Sequence, residues 1–153
     1  MTLLDTIRLI ESVAAAQPSV NMIVRNDIFR LNTYADARYG VFAWVQQQHQ
    51  ADTSSGFITF AFSFIYADRV TADRSNETEV QSVGIQTLNN IIRRLDETGI
   101  DAGSYTFTTF NQRFLDDCAG VFCNVSFTVP ADSLCAEDYA DFNDDFNEDF
   151  LII

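Results

Sequence analysis

Residues 57–66 read FITFAFSFIY, and their period is two. Phe60, Phe62, Phe64 and Tyr66 project to one side, Thr59, Ala61, Ser63 and Ile65 to the other. That alternation predicts a β-strand whose aromatic side is sheet core. The chain around it repeats the pattern. Tyr39, Val41, Ala43 and Val45 alternate with Gly40, Phe42 and Trp44, predicting a second strand with two apolar faces, covered on both sides or carrying a binding face. Between the two, HQADTSSG (49–56) reads as a loop. Asp27 to Asn32 is a candidate short strand, although periodicity over Met22–Tyr34 is weak.

Downstream, DRVTADRSNET (68–78) ends the strand and leads into a helix. Asn76 is placed to cap it, with Glu79 three residues later as in a capping box. Val80, Val83, Gly84, Leu88, Ile91, Ile92 and Leu95 make its apolar face, and Gly84 leaves room for close approach of another backbone. Arg93 and Arg94 suit the carboxyl end of the dipole, and Gly99 marks the exit. Tyr105–Phe110 is a short extended segment. Val121, Cys123, Val125, Phe127 and Val129 alternate with polar or aromatic neighbours up to Pro130. Upstream, Leu3, Ile7, Ile10 and Ala14 share one stripe of residues 2–16, predicting an amphipathic helix that ends before Pro18. The fold expected is α+β: an antiparallel or mixed sheet packed by an N-terminal and a central helix. No glycine-rich loop joins strand to helix, which argues against a nucleotide-binding layer.

Residues 1–130 are expected to be one assembly domain, and 131–153 an acidic aromatic tail or docking arm. The chain has 153 residues, 47% hydrophobic with 14 phenylalanines, enough for a core despite a net charge of -13. The tail holds 8 of the 22 acidic groups and no basic one. Phe142, Phe146 and Phe150 recur there at four-residue intervals, a stripe for docking if the tail is helical. Such acidity disfavours binding to phosphate backbones. No apolar run reaches the ~20 residues of a membrane span. The start, MTLLDTIRLIESV, does not resemble a secretory signal.

All nine basic residues are Arg, suited to forked contacts with carboxylates. Cys118, Cys123 and Cys135 lack zinc-finger spacing and are expected to be free thiols in a reducing compartment. His49 is the only histidine, which restricts acid–base and cysteine-nucleophile chemistry. No catalytic, cofactor-binding or metal-binding set is expected. Asp68, Arg69, Asp73, Arg74, Glu77 and Glu79 form the densest polar group outside the tail. Its spacing is a poor calcium loop; it reads instead as residues that turn the chain and cap the helix, or as a salt-bridging surface between subunits. Arg113 and Asp117, in NQRFLDDCAG, are further candidates for ionic contacts at a subunit boundary.

The blocks NDIFRLN, RYGVFAWVQQQH, FITFAFSFIYADRV, DRSNETEVQSVGIQTLNNIIRRL and FNQRFLDDCAGVFCNVSFTVP span nearly all of residues 26–130. In this order they resemble small tail-completion or tail-terminator-like proteins of tailed bacteriophages that infect gut Bacteroidales. The resemblance implies a virion protein, made in the bacterial cytoplasm and assembled as a ring at the head–tail junction, neck or tail end. It implies homo-oligomers contacting portal, connector, neck or tail-tube proteins, with DNA passing through unbound to sequence. Family-like positions are Asp68, Arg69, Ser75, Asn76, Glu77, Arg113, Phe114 and Asp117. No catalytic residues come with it. The composition also admits an acidic mimic of nucleic acid that blocks a host DNA-binding protein, which requires carboxylates spread over the folded body. A paired-carboxylate hydrolase is a third class without a distinctive constellation.

Overall fold

A computed structural model describes residues 1–26, 39–52, 54–111 and 117–131. The candidate strand at Asp27–Asn32, Arg113, Phe114, Cys135 and the tail aromatics Phe142, Phe146 and Phe150 lie outside the described residues.

The chain is α+β, and its described residues form two helices and a mixed six-stranded sheet. Helix α1 (Leu3–Ala15) begins at a capping box that the hydrophobic stripe alone does not reveal. The Thr2 hydroxyl accepts from the Asp5 N–H, and the Asp5 carboxylate accepts from the Thr2 N–H. The Thr2 hydroxyl also donates to that carboxylate and holds its pKa below the ordinary value. The helix buries Thr6, Ile10 and Ala14.

Strands β1 (Met22–Arg25) and β2 (Val41–Gln46) pair in parallel. Next to β2 runs β4 (Phe57–Arg69), followed by β6 (Cys118–Pro130) and β5 (Thr106–Asn111), all antiparallel. β4 and β6 pair over 13 residues each without a break in register. Both extend three residues beyond the alternation read from sequence, β4 to Arg69 and β6 back to Cys118, because each supplies the other's ladder there. The connection at 49–56 is not wholly a loop: β3 (Gln50–Asp52) pairs with the start of β4. His49 bridges the gap between β2 and β3. Its Nδ1 accepts the Ala61 N–H at 3.2 Å, so a side chain takes the place of a ladder carbonyl.

The aromatic side of β4 is the core. Phe62 and Phe64 are wholly buried and Tyr66 nearly so, each opposite Val125, Cys123 and Val121 of β6 respectively. Phe42 meets Phe64 edge-on at 5.3 Å, and Trp44 meets Phe62 at 6.2 Å. Helix α2 (Glu77–Asp96) closes this face with Val80, Leu88, Ile91, Ile92 and Leu95. Gly84 is the point of closest approach: a Cβ there would lie 3.0 Å from both Tyr66 Cδ1 and Val121 Cγ2. The glycine thus admits sheet side chains rather than a second backbone. α1 is tied to the sheet by Glu11, whose carboxylate accepts from Trp44 Nε1 at 3.1 Å and from Arg25 Nη2 at 2.7 Å.

The opposite face differs along its length. Val24, Val41 and Ala43 form a small buried cluster with Met22 and Ile65 packed on it. Farther across, the outward positions include Thr59, Ala61 and Ser63 of β4, Phe122, Asn124, Ser126 and Thr128 of β6, and Thr106, Thr108 and Phe110 of β5. Neutral hydrogen bonds link some of the polar ones. Gln47 donates to the Ser63 hydroxyl at 2.9 Å, which donates to Asn124 Oδ1, and the Thr59 and Thr128 hydroxyls meet at 3.3 Å.

Candidate assembly surface

The polar group expected to face a neighbouring subunit sits at the corner where β4 ends and α2 begins. Residues 70–76 carry the chain from the end of β4 to the start of α2. Asn76 holds the turn. Its Oδ1 accepts from the Thr71 N–H at 2.8 Å and from the Thr71 hydroxyl, and its Nδ2 donates to the Arg69 carbonyl at 3.3 Å. It is the first residue before α2, yet its side chain makes no hydrogen bond to the helix N–H groups. The capping box expected with Glu79 is therefore absent. Its φ and ψ of -97° and 7° lie outside the extended region in which a cap side chain reaches forward, and the turn takes its polar atoms instead.

Asp73 makes a second knot. Its carboxylate accepts from the Thr71 hydroxyl at 2.7 Å, the Ser75 N–H at 3.2 Å and the Ser75 hydroxyl at 2.9 Å. These bonds, the Thr71 one foremost, keep its pKa below the ordinary carboxylate value. Arg74 has φ +58°, a region non-glycine residues seldom adopt. Its Nε donates to Glu77 at 2.9 Å, which ties that residue to the first turn of α2.

Asp68 accepts from the Arg69 N–H at 2.7 Å and faces the Tyr66 hydroxyl at 3.5 Å. Burial, then the Asp68 charge, push the Tyr66 hydroxyl up to about 12. The Arg69 guanidinium stacks over the Tyr39 ring, 4.4 Å from its centroid. Nothing in the spacing of Tyr39 and Arg69, thirty residues apart, signals this contact; it follows from the pairing of β2 with β4. Asp117 joins the corner through its backbone, whose carbonyl accepts the Val70 N–H at 2.8 Å. Arg69, Val70, Ala72 and Asp117 line a shallow depression of about 290 Å³.

Asp68, Arg69, Asp73, Arg74, Glu77 and Asp117 are thus gathered at one end of the molecule. Asp73, Arg74 and Glu77 are engaged within the chain, which makes the corner rigid. Arg69 and Asp117 are the two exposed charges flanking the depression. Among the described residues no three His, Cys, Asp or Glu side chains converge as metal ligands do. Cys118 and Cys123 are buried, and burial pushes the Cys123 thiol up to about 11, far from a reactive thiolate near neutral pH. No described helix is long and apolar enough to cross a membrane. Comparison with protein-family models and with curated proteins finds no match.

Proposed function

We propose that this chain is a structural virion protein that forms an oligomeric ring at the head–tail junction, neck or tail end of a tailed bacteriophage. The observation that carries the reading is the ordered resemblance of five sequence blocks to tail-completion proteins. The end of one block at Val70, the start of another at Asp73 and Asp117 within a third lie at the corner beside the depression. A rigid, charged corner with an exposed Arg is suited to forked contacts that set orientation between subunits. The portal, connector or tail-tube proteins on either side would be its partners, and DNA would pass without adhering to an acidic surface.

The nucleic-acid mimic is supported less well. Such a protein needs carboxylates arrayed over its body, whereas the outward positions of β4, β5 and β6 from Thr59 to Ser63, Thr106 to Thr108 and Asn124 to Thr128 carry none. Cryo-EM of the native particle tests the ring directly: the chain is expected in multiple symmetric copies at the neck or tail end. Particles that contain no copy of it there would overturn the proposal. Arg113→Ala is expected to lower ring yield at an unchanged monomer unfolding midpoint, and normal ring yield would remove Arg113 from the contact.

A further inference from the structure

Strand β5 reads TFTTFN and ends the sheet; among the described residues no strand pairs with its other side. Alternate N–H and C=O groups over Thr106–Thr109 therefore point away from β6, and Thr106, Thr108 and Thr109 are exposed. A strand edge kept apart from other chain segments ordinarily carries a charge, a proline or a bulge. This one carries none. Helix α2 forms a wall beside it. Gln81 donates to Asn111 Oδ1 at 2.7 Å, and the Tyr105 hydroxyl donates to Asn89 Oδ1 at 2.9 Å, so the helix is strapped to both ends of β5. Ile85 lies one helical turn from each strap and is among the few large apolar side chains left exposed. Phe107, opposite Cys123 and so on the helix side of the sheet, is half-buried and meets Tyr105 edge-on at 5.6 Å. An uncharged edge with an apolar flank is what an added strand needs.

We propose that residues 150–153 of the same chain, FLII, add to this edge as a further strand against Phe107 and Ile85. The composition of the acidic segment selects them. Between Asp132 and Ile153 they are the only run of four large apolar residues, and the only uncharged run besides Ser133–Ala136. The place where the chain leaves the sheet, and the length beyond it, select them again. Thr106 pairs with Asn124, and β6 ends at Pro130. Those six residues of β6 span roughly 20 Å at ~3.3 Å each, and a strand outside β5 lies about 10 Å from β6. The gap to cross is thus roughly 22 Å. Ser133–Ala136 follow Pro130 too closely to cross it. Residues 132–149 are 18 in number, and a flexible chain of that length has a mean reach of roughly 23 Å. A tether whose reach matches the gap holds its end at the highest effective concentration, which favours the same chain over a second copy.

The strand addition is independent of the ring reading, and its test uses the full chain. A nitroxide is placed at Ile152→Cys in a Cys135→Ser background, since the buried Cys118 and Cys123 do not take the label. It is expected to broaden the amide signals of Thr106–Thr109 and to spare Met22–Arg25, at the far edge of the sheet. The broadening should persist when labelled, isotope-enriched chains are diluted into an excess of plain ones. Leu151→Asp combined with Ile152→Asp should speed exchange of the outward β5 amides about tenfold, the weight of roughly one backbone hydrogen bond. Ile85→Asp should speed it as well, while Gln86→Glu, exposed on the same helix, should not. Amides of β4 and β6 that keep their protection show that each variant is folded. Broadening that is absent from β5, or spread evenly over the surface, overturns the proposal, as does unchanged exchange in the double aspartate variant. Broadening that disappears on dilution gives the edge to a second copy and overturns it too.

Discussion

A methyl group on Gly120 would lie 2.0 Å from the Tyr66 carbonyl oxygen and 2.7 Å from Phe110 Cζ. The carbonyl belongs to the β4–β6 ladder and cannot yield without breaking it, so the Phe110 ring lies over bare backbone. Gly120→Ala is therefore expected to cost about 3 kcal/mol or more, by overpacking and ladder distortion together. Gly56 is a useful contrast. It has φ +70° with no heavy atom within 4 Å of a Cβ, so Gly56→Ala should cost only the about 1 kcal/mol of a left-handed alanine. Urea unfolding of both variants checks the order; equal losses would mean that the strand, and not the contact, sets the cost at Gly120. Neither glycine stands out in the alternating pattern. Gly120 sits at an outward position where any small residue would read the same, and only the register that brings Phe110 opposite reveals its constraint.

At the scale of elements, the junction between β4 and α2 separates two roles that sequence assigns to one residue. An N-cap asparagine and a turn-stitching asparagine look alike before a helix. In the first role serine is an equivalent replacement, because one short hydroxyl reaches the N2 or N3 N–H. In the second it is not, since a hydroxyl cannot span both Thr71 and the Arg69 carbonyl. Asn76→Ser is thus expected to destabilise by about 1 kcal/mol, as much as Asn76→Ala. Asn76→Asp should cost less, because it keeps the acceptor facing Thr71. Thermal melts of the three variants decide between the roles: full stability in Asn76→Ser would restore the cap. The His49 bridge makes a similar point. Reading 49–56 as a loop is sound from its composition, yet β3 forms because the hydrogen-bonding edge of β4 extends past β2 and recruits the backbone of Gln50–Asp52.

For the molecule as a whole, two buried groups tie stability to alkaline pH. The Cys123 thiol is raised from 9.0 to about 11 by burial, and the Tyr66 hydroxyl from 10.0 to about 12 by burial and the Asp68 charge. Each folded value exceeds its unfolded one, so the unfolded chain releases protons first as pH rises. Their contribution is fully present below pH 9 and is lost between roughly pH 9 and 12, Cys123 first. Unfolding free energy should accordingly fall across that window. Cys123→Ala should flatten the part between about 9 and 11 while lowering stability at neutral pH through the lost volume. A wild-type profile flat up to pH 12 would contradict the burial of both groups.

Period and charge along the chain were enough for the helices, the long strands and the core side of β4, because a buried face must repeat every two residues in a strand and every three to four in a helix. The same spacing placed Cys123 among Val125 and Phe127, and it separated Thr59, Ala61 and Ser63 from the aromatics. Pairing was beyond its reach. The parallel match of β1 with β2, the order that puts β4 between β2 and β6, the seating of Tyr39 beneath Arg69 and the meeting of Asp117 with Val70 all join residues distant in sequence. No local pattern encodes such contacts; they arise when burial of Phe62, Phe64 and Tyr66 selects one register among many. The outward sheet face was written in the sequence one alternate residue at a time, but only three strands laid side by side turn Thr59, Ser63, Thr106, Phe122 and Asn124 into one surface.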